Sequence, residues 1–280
     1  MRLYWFQLPM DVMNAADLIT DVKIWVIAGV ILGIMVGIEG PSTSVMLTAV
    51  LVAQMTMALH GLRFTAQDLR EDAKGAALCF LCCYLLNTGL TLLTGLLFIG
   101  DRSLWFGWIM LASVPCAVSV VSSSLIMGGD TKLSVIGLTV VYFVSLGLAP
   151  LLTHLLIGDA VNPVDILKYI VLFIAIPFAV AIPLGRVNIP RAPKIGFINL
   201  MMFLMLFMAI GSRRTEIFQS PETVLWLVLA NLLRLFAFGM LFFVLMKRMS
   251  VSREKAIVYD LFGVWRNSGM SISMSIALLG

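Results

Sequence analysis

Hydrophobic residues occur along this chain in long blocks, and each block is about as long as a helix that crosses a bilayer. Such a helix needs about 20 mainly apolar residues, and short polar or Pro/Gly-rich breaks separate the blocks. The pattern predicts an all-α polytopic membrane protein with nine spans, at residues 24–39, 44–61, 75–98, 104–127, 132–157, 164–185, 195–212, 223–246 and 255–280.

The first 23 residues differ from the spans that follow. Asp11, Asp17 and Asp21 interrupt their apolar residues, and no small-residue cleavage site follows them. They therefore do not read as a secretory signal. We expect residues 1–23 to form an amphipathic helix that lies at the membrane interface.

Composition supports a membrane protein and excludes several other classes. Hydrophobic residues make up 61% of the chain and charged residues only 12%, with a mean hydropathy of +1.04. The net charge of +4 does not indicate a nucleic-acid partner, because loop Lys and Arg orient membrane proteins. All four cysteines lie inside apolar spans, so no disulfide, metal site or cofactor is predicted. The predicted surroundings are the lipid bilayer.

The distribution of Lys and Arg predicts the orientation. Counted over alternate loops, 13 of them lie on the side of the N-terminus and four on the opposite side, while Arg234 and Arg266 lie within spans. Because cytoplasmic loops carry the excess of positive charge, the N-terminus is predicted to be cytoplasmic. We expect the plasma membrane as the location.

A weak internal repeat appears at an offset of 150 residues. Gly61, Arg63 and Thr65 recur as Gly211, Arg213 and Thr215, each set just after an apolar span. At the same offset, "VPCAVS" (114–119) falls opposite "VWRNSG" (264–269). Five spans per unit is an odd number, so the second unit must be inverted relative to the first. The repeats are predicted at 24–157 and 164–280; a tenth span would follow residue 280, and we interpret the chain as truncated.

Two spans contain helix-weakening residues near the middle of the bilayer. Pro115 removes a backbone donor from the fourth span, and Gly263, Asn267 and Gly269 weaken the ninth. Irregular backbone at that depth survives only inside protein or along a wet cavity, so both breaks are expected to face inward and form a site. Alternatively, Pro115 only kinks a packed helix. The candidate site residues are Pro115, Cys116, Ser119, Ser122, Ser123, Arg266, Asn267, Ser268 and Gly269.

Smaller signals within the spans predict helix packing. Gly29, Gly33 and Gly37 form a small-residue stripe in the first span, which is typical of close helix contact, and we favour a contact within the chain. Asn87, in the third span, is expected to bond to a neighbouring helix rather than to a substrate.

Four stretches of the chain together resemble the bile acid:sodium symporter superfamily. They are "LRFTAQDLRED" (62–72), "LASVPCAVSVVSSSLIMGGDTKLSV" (111–135), "APLLTHLL" (149–156) and "RNSGMSISMSIALLG" (266–280). The resemblance implies ten spans in two inverted five-helix units, with crossing discontinuous helices four and nine. It also implies a core domain, here spans 3–5 and 8–9, that moves against a panel domain of spans 1–2 and 6–7. The implied function is secondary transport.

The chain departs from that family where sodium would bind. Sodium-using members carry a serine-asparagine pair that falls on Val120 and Val121, and a glutamate and a glutamine that fall on Phe262 and Arg266. Sodium prefers oxygen ligands, and none of these four side chains supplies one. The side chains at these four positions therefore disfavour sodium coupling. Sodium could be coupled only if backbone carbonyls alone bind the ion.

Arg266 lies where an uncompensated charge would be costly. Our hypothesis is that its guanidinium takes the place of the sodium ion, stabilises carbonyls at the crossing and attracts an anionic substrate. Alternatively, Asp260 forms an ion pair with Arg266 or with Arg234. Asp260 is also a candidate proton carrier, unless it lies at the cytoplasmic membrane edge without a role.

These features predict a secondary active transporter of a small organic anion that works by alternating access and is sodium-independent or proton-coupled. The alternative is a sodium-coupled symporter that uses backbone carbonyls. An intramembrane enzyme is disfavoured because the chain has neither GxSxG nor HExxH, and a fixed pore needs no paired broken helices. The sequence predicts neither the substrate nor the oligomeric state.

Overall fold

The computed structural model describes residues 19–38, 40, 42–61, 66–158 and 161–279, and within these ranges the chain is helical without strands. The interfacial helix predicted for residues 1–23 therefore lies mostly outside the described residues, as do Arg63 and Thr65 of the predicted repeat. The helices are α1 (Val22–Val36), α2 (Thr43–Leu59), α3 (Ala66–Glu71), α4 (Ala73–Phe98), α5 (Arg102–Ser113), α6 (Ser119–Met127), α7 (Thr131–Ile157), α8 (Val164–Leu184), α9 (Arg191–Gly211), α10 (Arg214–Gln219), α11 (Pro221–Arg248), α12 (Arg253–Val264) and α13 (Ser268–Leu279).

Five of these helices are long and apolar enough to cross a membrane. They are α4, α7, α8, α9 and α11, with 21 to 28 residues each and hydropathies of 1.9 to 2.3. The prediction of a helical membrane protein is confirmed at this level. The other predicted spans correspond to the shorter apolar helices α1 and α2 and to two pairs of half-length helices, and the nine-span count stays a prediction.

Local sequence explains several helix ends. Asp21 begins α1 with its carboxylate accepting from the Lys23 N–H, and Asp101 caps α5 in the same way through the Ser103 and Leu104 N–H groups. Asp130 caps α7 through the Leu133 N–H. These side chains satisfy N–H groups that a helix start leaves without intrahelical partners.

The helices pack in two groups. One group consists of α1, α2, α8 and α9, in which α9 packs along both α1 and α2. The other consists of α4 to α7 with α11, α12 and α13, where α4 contacts α5, α7 and α12. The groups meet where α13 contacts α2 and α8, and where the start of α8 packs on α7.

The glycine stripe of the first span is an interface within the chain, as predicted. A Cβ atom on Gly29 would lie 3.0 Å from the Phe203 carbonyl oxygen, and one on Gly33 would lie 3.1 Å from that of Phe207. Both oxygens belong to the α9 backbone, which cannot move as a side chain can. The two glycines therefore permit α1 and α9 to approach closely.

Helix α4 is continuous but contains a widened π-helical segment, Leu81–Asn87. Such segments are rare and often occur at functional sites. Four residues of this segment are buried, as is the next residue, Thr88; the four are Cys82, Cys83, Tyr84 and Asn87. This part of α4 faces the interrupted helices described next.

Candidate functional site at the helix breaks

Both interruptions predicted from the sequence are present. Helix α5 ends at Ser113 and α6 begins at Ser119, with Pro115 in the non-helical stretch between them. Helix α12 ends at Val264 and α13 begins at Ser268. We call residues 114–118 and 265–267 together the crossover. Proline and the Gly/Asn/Ser-rich stretch are local signals, which explains why both breaks were predictable.

The two breaks contact each other in the protein interior. The Asn267 backbone N–H donates to the Pro115 carbonyl oxygen at 3.0 Å. The Asn267 side chain also caps α13, because its Oδ1 atom accepts from the Met270 N–H at 3.1 Å. Val114, Pro115, Cys116 and Asn267 are all buried. The prediction that the two distorted segments meet is confirmed.

Arg266 joins the first break to α4. One terminal nitrogen, Nη1, donates to the Val114 carbonyl oxygen at 2.6 Å, and Nη2 donates to Thr88 Oγ1 at 2.6 Å and to the Cys83 carbonyl oxygen at 3.1 Å. The residue is 5% exposed. A fixed positive charge thus lies against oxygen atoms that could otherwise bind a cation. Because both terminal nitrogens are engaged, the contacts support the stabilising half of our hypothesis. The Nε atom is buried without a hydrogen-bond partner among the described residues, and attraction of an anion by this side chain stays a prediction.

The carbonyls at the end of α12 are bound by side chains from two other helices. Asn87 Nδ2 donates to the carbonyl oxygens of Phe262 at 3.2 Å and Trp265 at 3.3 Å. Arg234 Nη1 donates to the Val264 carbonyl oxygen at 3.1 Å and, more weakly, to Asn87 Oδ1 at 3.5 Å. A helix end leaves carbonyls without intrahelical partners, and inside a bilayer these must be satisfied by protein. Asn87 and Arg234 donate the hydrogen bonds that these carbonyls need. Asn87 therefore bonds to a neighbouring segment, as predicted.

Tyr142 and Thr88 complete the crossover, and the sequence analysis identified neither. The Tyr142 hydroxyl donates to the Cys116 carbonyl oxygen at 3.0 Å and accepts from Asn267 Nδ2 at 3.4 Å. Thr88 Oγ1 donates to the Ala112 carbonyl oxygen at 2.9 Å. The available signal is that Tyr142 is the single tyrosine of the span 132–157, since a buried phenol needs a hydrogen-bond partner.

The predicted serines lie apart from this buried network. Ser119, Ser122 and Ser268 are exposed, Ser123 is partly buried, and the Ser122 hydroxyl donates to the Ser119 carbonyl oxygen within its own helix. Ser119, Ser122 and Ser268 therefore take no part in the contact between the breaks, and their assignment as substrate-binding residues stays a prediction. Ser119 and Ser268 instead begin α6 and α13, so their side chains project outward from the half-helix starts.

Gly269 lies where the two helix groups meet. A Cβ atom there would be 2.5 Å from Met205 Sδ and 3.2 Å from Leu51 Cδ1, so α13 packs closely on α9 and α2. Nearby, Asn267 Nδ2 lies 3.6 Å from Met55 Sδ. Gly269 is thus a packing position between the groups.

Asp260 forms neither of the ion pairs considered from the sequence. The salt bridges among the described residues join Lys132 to Glu71, Lys168 to Asp165, Arg213 to Glu216 and Lys255 to Asp72. Asp260 lies one turn before the end of α12, and its Oδ1 atom is buried without a hydrogen-bond partner among these residues. A structural role through Arg234 or Arg266 is therefore excluded in this conformation.

No protein-family model matches this chain, and no curated protein is significantly similar to it in sequence. The resemblance to the bile acid:sodium symporter superfamily therefore stays a prediction from short motifs.

Proposed function

We propose that this chain is a secondary active transporter of a small organic anion that works by alternating access and does not require sodium. The observation that carries this proposal is the contact of two interrupted helices in the protein interior, with Arg266 donating to oxygens of α4 and of the first break. Discontinuous helices at the midplane are characteristic of secondary transporters.

The two interrupted helices fit the proposed inverted repeats. The break between α5 and α6 and the break between α12 and α13 each lie in the fourth predicted span of their half. Inverted repeats build a binding site where their broken helices meet, and one bundle then rocks against the other. If Pro115 only kinked a packed helix, a second interrupted helix in contact with the first would not be required. The presence of two breaks in contact therefore favours a binding site.

The two helix groups supply candidate moving bodies. We assign α4 to α7 and α11 to α13 to the core domain, and α1, α2, α8 and α9 to the panel domain. Where α13 meets the panel, the contacting side chains are those of Leu51, Met55 and Met205. Methionine is flexible and readily repacks, so this interface suits bodies that shift relative to each other. We place the N-terminus in the cytoplasm and the protein in the plasma membrane, on the distribution of loop charges.

Arg266 favours sodium independence over the sodium-coupled alternative. The Val114 and Cys83 carbonyl oxygens already accept from the guanidinium. A sodium ion about 4 Å from that charge would be repelled by about 4 kcal/mol at an effective dielectric constant of about 20. Backbone carbonyls at this point therefore do not offer a favourable sodium site. Asp260, with its buried Oδ1 atom, is the candidate proton carrier.

Counterflow in proteoliposomes tests the transport proposal. Vesicles that contain the purified chain are loaded with unlabelled benzoate, hexanoate or succinate and diluted into the labelled acid in sodium-free potassium buffer. A transporter accumulates label transiently, and added sodium leaves the rate within twofold. Absence of counterflow for all three acids, or a steady ionic current in a planar bilayer, would contradict the proposal, and a strict sodium requirement would contradict its coupling.

A further inference from the structure

Arg234 uses fewer of its donors than Arg266 does. Arg266 donates from both terminal nitrogens to three oxygens. Arg234 donates from Nη1 alone. The Nε atoms of both arginines are buried without a hydrogen-bond partner among the described residues, and both residues are 5% exposed. The two arginines therefore differ at Nη2, which donates twice in Arg266 and forms no hydrogen bond among the described residues in Arg234. A buried donor without an acceptor costs about 1–3 kcal/mol. The Nε side of this guanidinium is therefore a donor edge that the described residues do not use.

The position of Arg234 on its helix shows that this edge faces protein. Helix α11 is the least buried of the five long helices, with 17% of its apolar window buried. Its residues Leu233 and Phe236, one position before and two positions after Arg234, are exposed. Arg234 lies on the opposite side, against Val264 and Asn87. Its guanidinium thus belongs to the crossover rather than to the lipid surface.

The crossover also has excess positive charge. Arg266 contacts α4 at Cys83 and Thr88, and Arg234 contacts it at Asn87, so two guanidinium groups lie against the same short stretch. Neither takes part in a salt bridge among the described residues. Buried charges in membrane proteins pair with opposite charges or with backbone carbonyls. Here the oxygen partners of both guanidinium groups among the described residues are neutral carbonyl, amide and hydroxyl groups, so no carboxylate among these residues offsets the two positive charges. The region therefore favours binding of an anion.

The geometry points to Arg234 as the residue that binds the carboxylate group of the transported anion. This inference rests on the proposed function and assigns a different role to each of the two arginines. Arg266 stabilises the crossover, and Arg234 presents its Nε and Nη2 donors to the substrate. Those two N–H groups are parallel and match the two oxygens of a carboxylate. A halide offers one acceptor centre to the two donors, whereas a carboxylate offers one oxygen to each, so the predicted ligand class is a small organic carboxylate.

Direct binding tests this assignment. Labelled benzoate, hexanoate and succinate are titrated against the purified full chain by scintillation proximity in sodium-free buffer. We expect Arg234→Gln to weaken binding at least tenfold. Arg234→Lys, which keeps the charge but not the paired donors, should weaken it at least fivefold and serves as the decisive variant if Arg234→Gln does not fold. The matched control is Arg102→Gln, which removes an exposed cation that lies over the Phe106 ring, and it should bind within twofold of the wild type.

Three results would overturn the assignment: wild-type protein that binds none of the acids, Arg234 variants that bind within twofold of the wild type, or chloride that competes as strongly as benzoate. The same preparations separate this inference from the proposed function. Wild-type counterflow together with unchanged binding by the Arg234 variants refutes the role of Arg234 alone. Binding that depends on Arg234 without counterflow refutes transport and leaves a carboxylate site.

Discussion

Replacing Arg266 with glutamine is the most informative change at the crossover, because glutamine keeps polar atoms while removing the charge. In the wild type, Arg266 satisfies the Val114 and Cys83 carbonyl oxygens and the Thr88 hydroxyl. A glutamine amide is shorter and reaches at most one of these groups. We therefore expect two buried acceptors to lose their donor.

The size of the effect follows from those contacts. Each buried polar group left unsatisfied costs about 1–3 kcal/mol, which gives about 2–6 kcal/mol for two groups. Removal of a buried charge recovers part of this, and a net loss of about 2–3 kcal/mol remains. Since 1 kcal/mol shifts Tm by about 2–4 °C in proteins of about 200 residues, Arg266→Gln should lower Tm by about 4–12 °C.

Sodium should then act on the variant and not on the wild type. With the guanidinium gone, the two carbonyls, the Thr88 hydroxyl and the new amide oxygen form a set of oxygen ligands, which is what sodium prefers. An ion present at ten times its Kd stabilises by about 1.4 kcal/mol. Sodium should therefore raise the Tm of Arg266→Gln by about 3–6 °C, and potassium should raise it less.

Thermal unfolding of the purified protein in detergent measures both effects, in potassium buffer with and without sodium. Arg102→Gln removes an exposed cation and should keep the wild-type Tm within about 1 °C. An Arg266→Gln protein with wild-type Tm, or a wild-type Tm that rises with sodium as much as that of the variant, would refute the view that Arg266 substitutes for a cation.

Three further changes test other parts of the structure. Tyr142→Phe removes the donor to the Cys116 carbonyl oxygen and should lower Tm by about 2–12 °C, whereas Tyr169→Phe should leave Tm unchanged. Equal shifts of Tm in the two variants would show that the hydroxyl contact is unimportant. Gly33→Ala places a Cβ atom 3.1 Å from an α9 carbonyl oxygen and should lower the free energy of unfolding, measured by chemical unfolding. Gly147→Ala, with open space around its Cβ atom, should leave that free energy unchanged or raise it by about 0.5–1 kcal/mol. The reverse order of the two variants would contradict the close contact of α1 and α9. If Asp260 carries the coupling proton, Asp260→Asn should abolish uptake driven by a pH gradient and retain counterflow; loss of both, or of neither, in paired vesicle assays would exclude that role.

The parts of the site that the sequence predicts are those determined by local chemistry. Pro115 cannot donate a backbone hydrogen bond, and Gly263, Asn267 and Gly269 lower helix stability wherever they occur, so both breaks could be predicted. That the breaks face inward followed from the requirement to satisfy backbone groups away from lipid.

The partners of the breaks depend on packing between distant segments, which no local pattern records. Tyr142 reaches the crossover because α7 packs beside α5, and Thr88 does so because α4 lies against the same pair. The exposed positions of Ser119 and Ser122 depend on the rotation of α6 about its axis, which the residues of the break do not determine. For the same reason, the sequence identified Arg234 as a buried charge without revealing that its partners are the Val264 and Asn87 oxygens.

The π-helical segment of α4 makes this stretch sensitive to length rather than to side-chain identity. Leu85 within it is 65% exposed, so many substitutions there should be accepted. Deletion of one residue would instead close the widened turn to an α-helical turn of 3.6 residues. This removes the extra residue from the stretch in which Cys83 and Asn87 reach Arg266 and Phe262. The loss of one codon from this segment would therefore disturb both contacts at once, whereas a point substitution changes one position.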